Sequence, residues 1–349
     1  MSQARSLGRL IDANGNRASE GLRVLEDVAR FLLDDGSLSG MAKQLRHQVR
    51  QAIPPEAIRD RDTAGDVGTA LTADGAMARA RLVDLIRANA ARVSEALRAA
   101  EEACKLANQP ASAAQLEQIR YRTYQLESGM LSRLPAWLLL RIRLYALVDT
   151  SLTDDAPGVA GAVVRGGAGA VQLRSKDLTQ RAYRELAGRV QEAVRREGGL
   201  FIVNDHVAVA HALHADGVHL GQDDLAIHDA RSVLGAQCAI GISAHTPAQA
   251  AEALAGGADY LGLGPMFQTA TKAHEPARGA GLLDEVQDCL RAHARRASYA
   301  IGGLTLERVR ALRPRLPHGV AVASALCRAS DPERTASEFL SLLEPDELP

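Results

Sequence analysis

Apolar positions along the chain follow two different rhythms. From the N-terminus to about Met130 they recur every three to four residues inside long Ala/Leu/Arg/Glu runs, the spacing of amphipathic helices. Breaks at Asp34-Asp35-Gly36, at Ile53-Pro54-Pro55 and from Asp60 to Thr72 divide this stretch into four main helices. After Pro135-Ala136-Trp137, short β-rich runs alternate with Ala-rich helical stretches. The runs are Leu144–Val148, Val171–Arg174, Phe201–Asn204, Gly217–Leu220, Ala239–Ser243, Tyr260–Gly264, Tyr299–Gly302 and Val320–Ser324. Most are apolar throughout, as parallel strands covered on both faces are. Eight such units in about 200 residues predict an α/β fold, a (β/α)8 TIM barrel, with a doubly wound open sheet as the structural alternative. The expected division is an all-α helical domain over residues 1–138 and the barrel over residues 139–349.

The helical part repeats itself. Residues 12–27 align without a gap on residues 87–102, and the matches include Asn14/Asn89, Arg17/Arg92, Glu20/Glu95, Arg23/Arg98 and Glu26/Glu101. Helix propensity does not demand that much polar identity, so a duplicated helical hairpin is the simplest account. Polar residues three apart wind slowly around a helix and cannot all lie on one solvated edge. Two such helices face to face would build a pseudo-symmetric polar groove containing Asn14, Arg17, Glu20, Asn89, Arg92 and Glu95.

Composition narrows the function. With 41 Lys+Arg against 42 Asp+Glu the net charge is −1, too little positive field for a nucleic-acid binder. The four cysteines are far apart in sequence and have no zinc spacing, which reads as reduced, buried thiols. No apolar run approaches the length of a membrane span, and the first residues lack the apolar core of a signal peptide. The expectation is a cytoplasmic protein acting on small molecules, with no nucleic-acid or membrane partner and with room for a homo-oligomer.

Barrel chemistry sits where strands end, and those positions are rich in functional groups. Strand two runs into Gln172, Arg174 and Lys176, strand three into Asn204 and Asp205, and strand four into Gln222, Asp223 and Asp224. Strand five ends at Ser243 and His245, and strand six opens into Thr269, Thr271 and Lys272. Arg174, Lys176 and Lys272 are cations that would repel one another at one mouth without a bound polyanion. Asp205 and Asp224 are oxygen ligands suited to Mg2+, which takes one or two carboxylates plus substrate phosphate oxygens. Asp223 is the alternative ligand; Asp224 is preferred because the loop must turn back over the mouth. Gly302-Gly303 and Ala323-Ser324 end strands seven and eight, where barrels frequently bind phosphate. Two anionic substrates, one a diphosphate held with metal, fit this set. His206, His211, His214, His219 and His245 read mostly as ordinary helix or core histidines.

Taken together, Gln172 to Lys176, Asn204-Asp205, Asp216 to Asp224, Gly241 to Thr246, Ala258 to Pro265, Thr269 to Lys272 and Ile301 to Gly303 resemble thiamine phosphate synthase, in the family's order, over about residues 142–345. The resemblance implies a (β/α)8 transferase that joins hydroxymethylpyrimidine diphosphate to thiazole phosphate and releases pyrophosphate by a dissociative route. It also implies Mg2+ on Asp205 and Asp224, and diphosphate contacts from Arg174, Lys176, Asn204, Ser243 and Lys272. Gln172 would meet the pyrimidine, and Thr269, Thr271, Gly303, Ala323 and Ser324 the thiazole phosphate. The segment Ala273 to Gly281 departs from the family pattern and is expected to shape a lid. The helical part resembles a hydroxymethylpyrimidine phosphate kinase domain fused upstream of such synthases, on Leu10 to Arg17, Glu20 to Asp27 and Arg61 to Gly68. ATP would be its phosphate donor, although the chain contains no P-loop motif. The competing readings are a docking bundle for the helical part, and for the whole chain a thiazole tautomerase or a thiamine phosphate-binding sensor.

Overall fold

Side chains alternate across a strand, so every second residue of a barrel strand points inward. The computed structural model describes residues 3–59, 82–268, 277–316 and 318–343. It contains a closed barrel of eight parallel strands in sequential order. These are β1 (Leu144–Asp149), β2 (Ala170–Arg174), β3 (Leu200–Asn204), β4 (Gly217–Leu220), β5 (Ala239–Ala244), β6 (Tyr260–Leu263), β7 (Ala297–Ile301) and β8 (Gly319–Val322). All eight expected strands are present, and β1 pairs with β8 to close the ring, Leu144 beside Val320. β8 stops at Val322, so Ala323 and Ser324 lie just beyond it.

Two apolar layers follow from the alternation. Leu144, Ala146, Val148, Val171, Leu173, Phe201 and Val203 belong to the layer between strands and helices. Tyr145, Leu147, Ala170, Ile202, Ala239, Tyr260, Tyr299 and Ala321 fill the inside. Tyr145 and Tyr299 stack with ring centroids 5.2 Å apart, and Tyr260 packs edge-on to Tyr299 at 6.0 Å. Gly241 makes room for this plug: a Cβ there would stand 2.0 Å from the Tyr260 ring. Gly241→Ala is therefore expected to cost several kcal/mol through overpacking, read as a fall in Tm, whereas the open position Gly235 tolerates no such comparison because its φ is positive.

Helices return the chain around the barrel: α6 (Ala156–Arg165), α7 (Gln180–Arg196), α8 (Val207–Ala212), α9 (Ile227–Leu234), α10 (Pro247–Ala255), α11 (Gly281–Glu285), α12 (Gln287–Ala292), α13 (Leu306–Leu312), α14 (Ser324–Cys327) and α15 (Pro332–Leu343). Several start at a side-chain cap. Asp155, Thr179, Thr246 and Thr305 accept from backbone N–H groups of the first turns of α6, α7, α10 and α13.

The upstream part is helical: α1 (Gln3–Asp27), α2 (Gly36–Ala52), α3 (Pro55–Arg59), α4 (Leu82–Leu106) and α5 (Pro110–Leu139). α1 runs directly into a π-helical turn at Val28–Leu32. The sequence pattern ends its helical part near Met130, whereas α5 continues through Pro135 to Leu139. Proline removes one intrahelical hydrogen bond, and the buried Leu131, Leu134 and Leu139 keep the helix packed on both sides of it. The two compact units are Met1–Leu134 and Pro135–Pro349. Cys104, Cys238 and Cys327 are buried as expected, while Cys289 is only half-buried; all four are free thiols. No described helix is long and apolar enough to cross a membrane.

Candidate active sites in the two units

The inward-facing row of β1 is Tyr145, Leu147 and Asp149, and that of β2 is Ala170, Gln172 and Arg174. Asp149 pairs in register with Arg174, and their side chains form an ion pair. Asp149 also accepts from Ser151 N (2.9 Å) and Ser151 Oγ (2.6 Å). Burial alone would raise its carboxyl, but the Ser151 hydrogen bonds and the Arg174 guanidinium hold it below the usual range. Asp149 was not among the sequence candidates; its phase with Tyr145 and Leu147 is the signal that could have found it.

β3 ends at Asn204, and the next residue, Asp205, takes φ +60°, a left-handed conformation unusual for a side-chain-bearing residue. The Asp205 N–H donates to His219 O at 2.9 Å, which fixes that turn against β4. After β4, Asp224 Oδ2 accepts from Gly221 N at 2.6 Å, bending the loop back over the mouth. Of the two neighbouring candidates it is Asp224 that meets Asp205. Partial burial and the hydrogen bond and charge of Asp224 push Asp205 up to about 6, against the pull of Arg174 and Asn204. Two carboxyls pressed together so that one resists ionisation fit a divalent cation, which would relieve their repulsion. Lys176 follows β2 as an exposed side chain.

A row of polar contacts crosses the barrel interior beneath this mouth. Gln172, 2% exposed, donates through Nε2 to Tyr145 Oη at 2.9 Å. Tyr145 Oη and Tyr260 Oη are 3.0 Å apart, Tyr260 Oη and His219 Nδ1 3.1 Å, and His219 Nε2 and Ser243 Oγ 3.0 Å. The packing around His219 is tight, since a Cβ on Gly262 would stand 3.1 Å from its ring. Sequence reasoning found Gln172 and Ser243 but not Tyr145 and Tyr260, and it favoured a plain core role for most of the histidines.

Gly303 (φ +64°), Ala323 and Ser324 stand just past the adjacent strands β7 and β8. The loop after β6 is tied to this edge by Met266 N to Ile301 O (2.8 Å) and Phe267 N to Gly302 O (3.0 Å). A Cβ on Gly303 would stand 2.9 Å from Phe267 Cβ, so glycine is required both by φ and by space. Thr269, Thr271 and Lys272 lie outside the described residues, as do Ala273 to Pro276 of the expected lid and the Arg61 to Gly68 loop.

In the helical unit the duplication extends beyond the matched helices. Glu26 on α1 is buried and accepts from Arg46 Nε (3.0 Å) and Nη2 (2.9 Å) on α2. Glu101 on α4 is buried and accepts from Arg120 Nη2 (3.3 Å) on α5. Burial alone would raise the Glu101 carboxyl; the Lys105 hydrogen bond and the charges of Arg98, Lys105 and Arg120 hold it below the usual range. Asn14 and Asn89 are also equivalent, each donating to a carbonyl of its own helix, Leu10 O (2.9 Å) and Leu85 O (2.8 Å).

The expected groove between α1 and α4 is replaced by close packing. A Cβ on Gly21 would stand 2.6 Å from Val93 Cγ2 and 3.2 Å from Asn89 O. Asn14 and Asn89 are buried in support of that contact, and Arg17, Arg92 and Glu95 are exposed. A polar cavity of about 500 Å³ opens instead between α1 and α2, with Asp12, Asn16, Glu20, Arg23, Arg46 and Arg50 in its wall. Its equivalents in the second copy keep Glu95, Arg98 and Arg120 but put Arg87, Ala91 and Tyr124 where Asp12, Asn16 and Arg50 stand. The shared Glu20, Arg23 and Arg46 therefore form part of the wall, and Asp12, Asn16 and Arg50 are the part of it that the second copy lacks.

Two family models match the chain. The family model described as thiamine monophosphate synthase matches residues 144–326, and the one described as the ThiD2 family matches residues 9–129. A thiamine-phosphate synthase of Gloeobacter violaceus is 39% identical over 335 residues, covering 96% of this chain and 96% of its own. One from a Nostoc species is 38% identical over 335 residues, covering 96% of this chain and 93% of its own. The solved thiamine phosphate pyrophosphorylase from Pyrococcus furiosus matches with a TM-score of 0.53 at 30% identity, over 59% of this chain and 97% of its own.

Proposed function

The chain belongs to the thiamine-phosphate synthase family and is a transferase of thiamine biosynthesis, and from that premise we propose how its residues divide the work. The observation that carries the assignment is the convergence at one barrel mouth of Arg174, Asn204, Ser243 and a carboxyl pair, Asp205 and Asp224, that resists full ionisation. Asp205 and Asp224 hold Mg2+, which when bound supplies positive charge against the developing pyrophosphate. Arg174, Lys176 and Lys272 are the catalytic cations, gripping the diphosphate with Asn204 and Ser243. Gln172 reads the pyrimidine. Gly303, Ala323 and Ser324, with Thr269 and Thr271, hold the thiazole phosphate.

The bond between the pyrimidine methylene carbon and the diphosphate oxygen breaks first, and the pyrophosphate leaves with the electron pair. The electron-rich aminopyrimidine stabilises the methylene cation, and the thiazole nitrogen lone pair then forms the new carbon–nitrogen bond. The cations favour the first step because they bind the leaving group more strongly as its charge grows. This route needs no side-chain nucleophile.

For the helical unit the proposal is a kinase that converts hydroxymethylpyrimidine monophosphate to the diphosphate the barrel consumes, with ATP as donor. The α1–α2 cavity supports it by offering Arg50 and Arg23 to a phosphate and Asp12 and Asn16 to a polar ring. The test is a pair of assays on the full chain. One supplies the monophosphate, thiazole phosphate, ATP and Mg2+; the other supplies the preformed diphosphate without ATP. Thiamine phosphate from both is the expected result. Arg50→Ala is expected to lower the ATP-dependent yield at least tenfold while leaving the second assay unchanged. Product only from the preformed diphosphate would remove the kinase and leave the synthase standing.

A further inference from the structure

Every hydroxyl in the row beneath the barrel mouth has one proton to give, and that fixes a direction. Tyr145 accepts from Gln172 Nε2, so its own proton goes to Tyr260. The Tyr260 proton then goes to His219 Nδ1, the imidazole proton resides on Nε2, and Ser243 Oγ accepts it. Reversing one inner link alone would leave a hydroxyl proton without an acceptor among buried side chains. Burial pushes the Tyr145 and Tyr260 hydroxyls well above their ordinary range, which keeps both as donors.

An anion offers only acceptors. A diphosphate oxygen beside Ser243 claims the Ser243 proton, so Ser243 must accept from His219, and the whole row can run only from Gln172 toward Ser243. Gln172 then gives one of its two amide hydrogens to Tyr145, and that orientation of the amide turns Oε1 toward the substrate. An acceptor at that point reads a donor: an amino group on the pyrimidine, and not a ring carbonyl. With the row reversed, Gln172 would turn its NH2 outward and favour the carbonyl instead.

We infer that Gln172, Tyr145, Tyr260, His219 and Ser243 form one polarised hydrogen-bond file through which the bound diphosphate selects an aminopyrimidine over its oxo counterpart. Tyr145, Tyr260 and His219 are positioning residues in this scheme. The inference rests on the assignment of Gln172 to the pyrimidine and Ser243 to the diphosphate made above. It extends that assignment from two separate contacts to a single coupled one. Two glycines make the file sterically feasible, Gly241 beneath Tyr260 and Gly262 beside His219.

The test compares the dissociation constants of hydroxymethylpyrimidine diphosphate and its oxo analogue, each measured by calorimetry with Mg2+ and without the thiazole partner. The intact chain should favour the amino compound by about a hundredfold. Tyr260→Phe keeps the ring and cuts the file, and should reduce that preference roughly tenfold. Tyr145→Phe should do the same, and stands in if the first variant does not fold. Tyr299→Phe is the control: its hydroxyl donates to Leu139 O outside the file, so the preference should not change. Nitrogen-15 spectra of the His219 ring with inorganic pyrophosphate and Mg2+ should show a proton on Nε2 and none on Nδ1. An unchanged preference in Tyr260→Phe and Tyr145→Phe, or a protonated Nδ1, overturns the inference. Failure of the intact chain to bind either diphosphate would instead strike at the substrate assignment beneath it.

Discussion

Asp205→Asn is expected to lower condensation turnover by roughly 10²–10³-fold, if Asp205 holds Mg2+ as proposed, and to make the metal-free protein more stable above pH 6. The two effects share one cause. In the metal-free protein Asp224 and partial burial raise the Asp205 carboxyl from its ordinary value near 3.8 to about 6. A raised pKa favours the protonated form in the fold. The stability it contributes is fully present below about pH 4 and is lost as pH rises through about 6. Asparagine cannot ionise, tolerates the left-handed backbone at this position, and can donate to Asp224, so the loss disappears. For a carboxyl partly open to solvent the gain is on the order of 1 kcal/mol. Thermal unfolding without Mg2+ at pH 5 and pH 7.5, beside steady-state turnover, measures both effects. In the wild type, Mg2+ affinity should fall as pH drops through 6, because the proton and the metal compete for the same oxygens. Wild-type turnover in the variant would remove the metal assignment.

Arg174→Leu costs both stability and catalysis, and a second substitution separates them. Arg174 and Asp149 are a largely buried ion pair at the ends of adjacent strands. Removing the cation leaves the Asp149 carboxylate with only Ser151 to compensate it, a loss of about 3 kcal/mol. With Arg174 gripping the diphosphate as proposed, turnover should fall by roughly 10²-fold or more, because the leaving group would lose a fixed charge. In the Asp149→Asn/Arg174→Leu double variant the buried charge is gone. Most of the stability should return while turnover stays low. If turnover returned as well, the guanidinium would be needed only as a partner for Asp149.

Short apolar runs between Ala-rich helical stretches made the strands legible, and the ends of those strands carried most of the candidate groups. What the pattern could not carry was contact between strands distant in sequence. Tyr145 and Tyr260 read as bulky apolar positions on β1 and β6, and only closure of the barrel brings their hydroxyls within 3.0 Å. His219 looked like a core residue and is one; its two ring nitrogens nevertheless join the core to Ser243. In the helical unit the difficulty was of another kind. Among the residues identical between the two copies, the groove candidates Asn14/Asn89 bond within their own helices, and the matched pair Glu26/Glu101 ties neighbouring helices together as framework. Duplication keeps what the fold needs, so the positions that differ, Asp12, Asn16 and Arg50, are the more informative about the cavity.

Closure of the barrel by its first and last strands also sets a timetable for synthesis. β1 cannot complete its pairing until Val320 is available to Leu144, and a ribosome needs roughly 10–35 s to make the chain between them. The helical unit, whose ion pairs join helices of the same hairpin, has all its described residues out of the ribosome long before that. For that interval the nascent chain carries a finished bundle tethered to an open, growing sheet with bare edges at β1 and at its newest strand. Those edges are where a chaperone would be needed, and where a pause in translation before β8 would most raise the risk of aggregation.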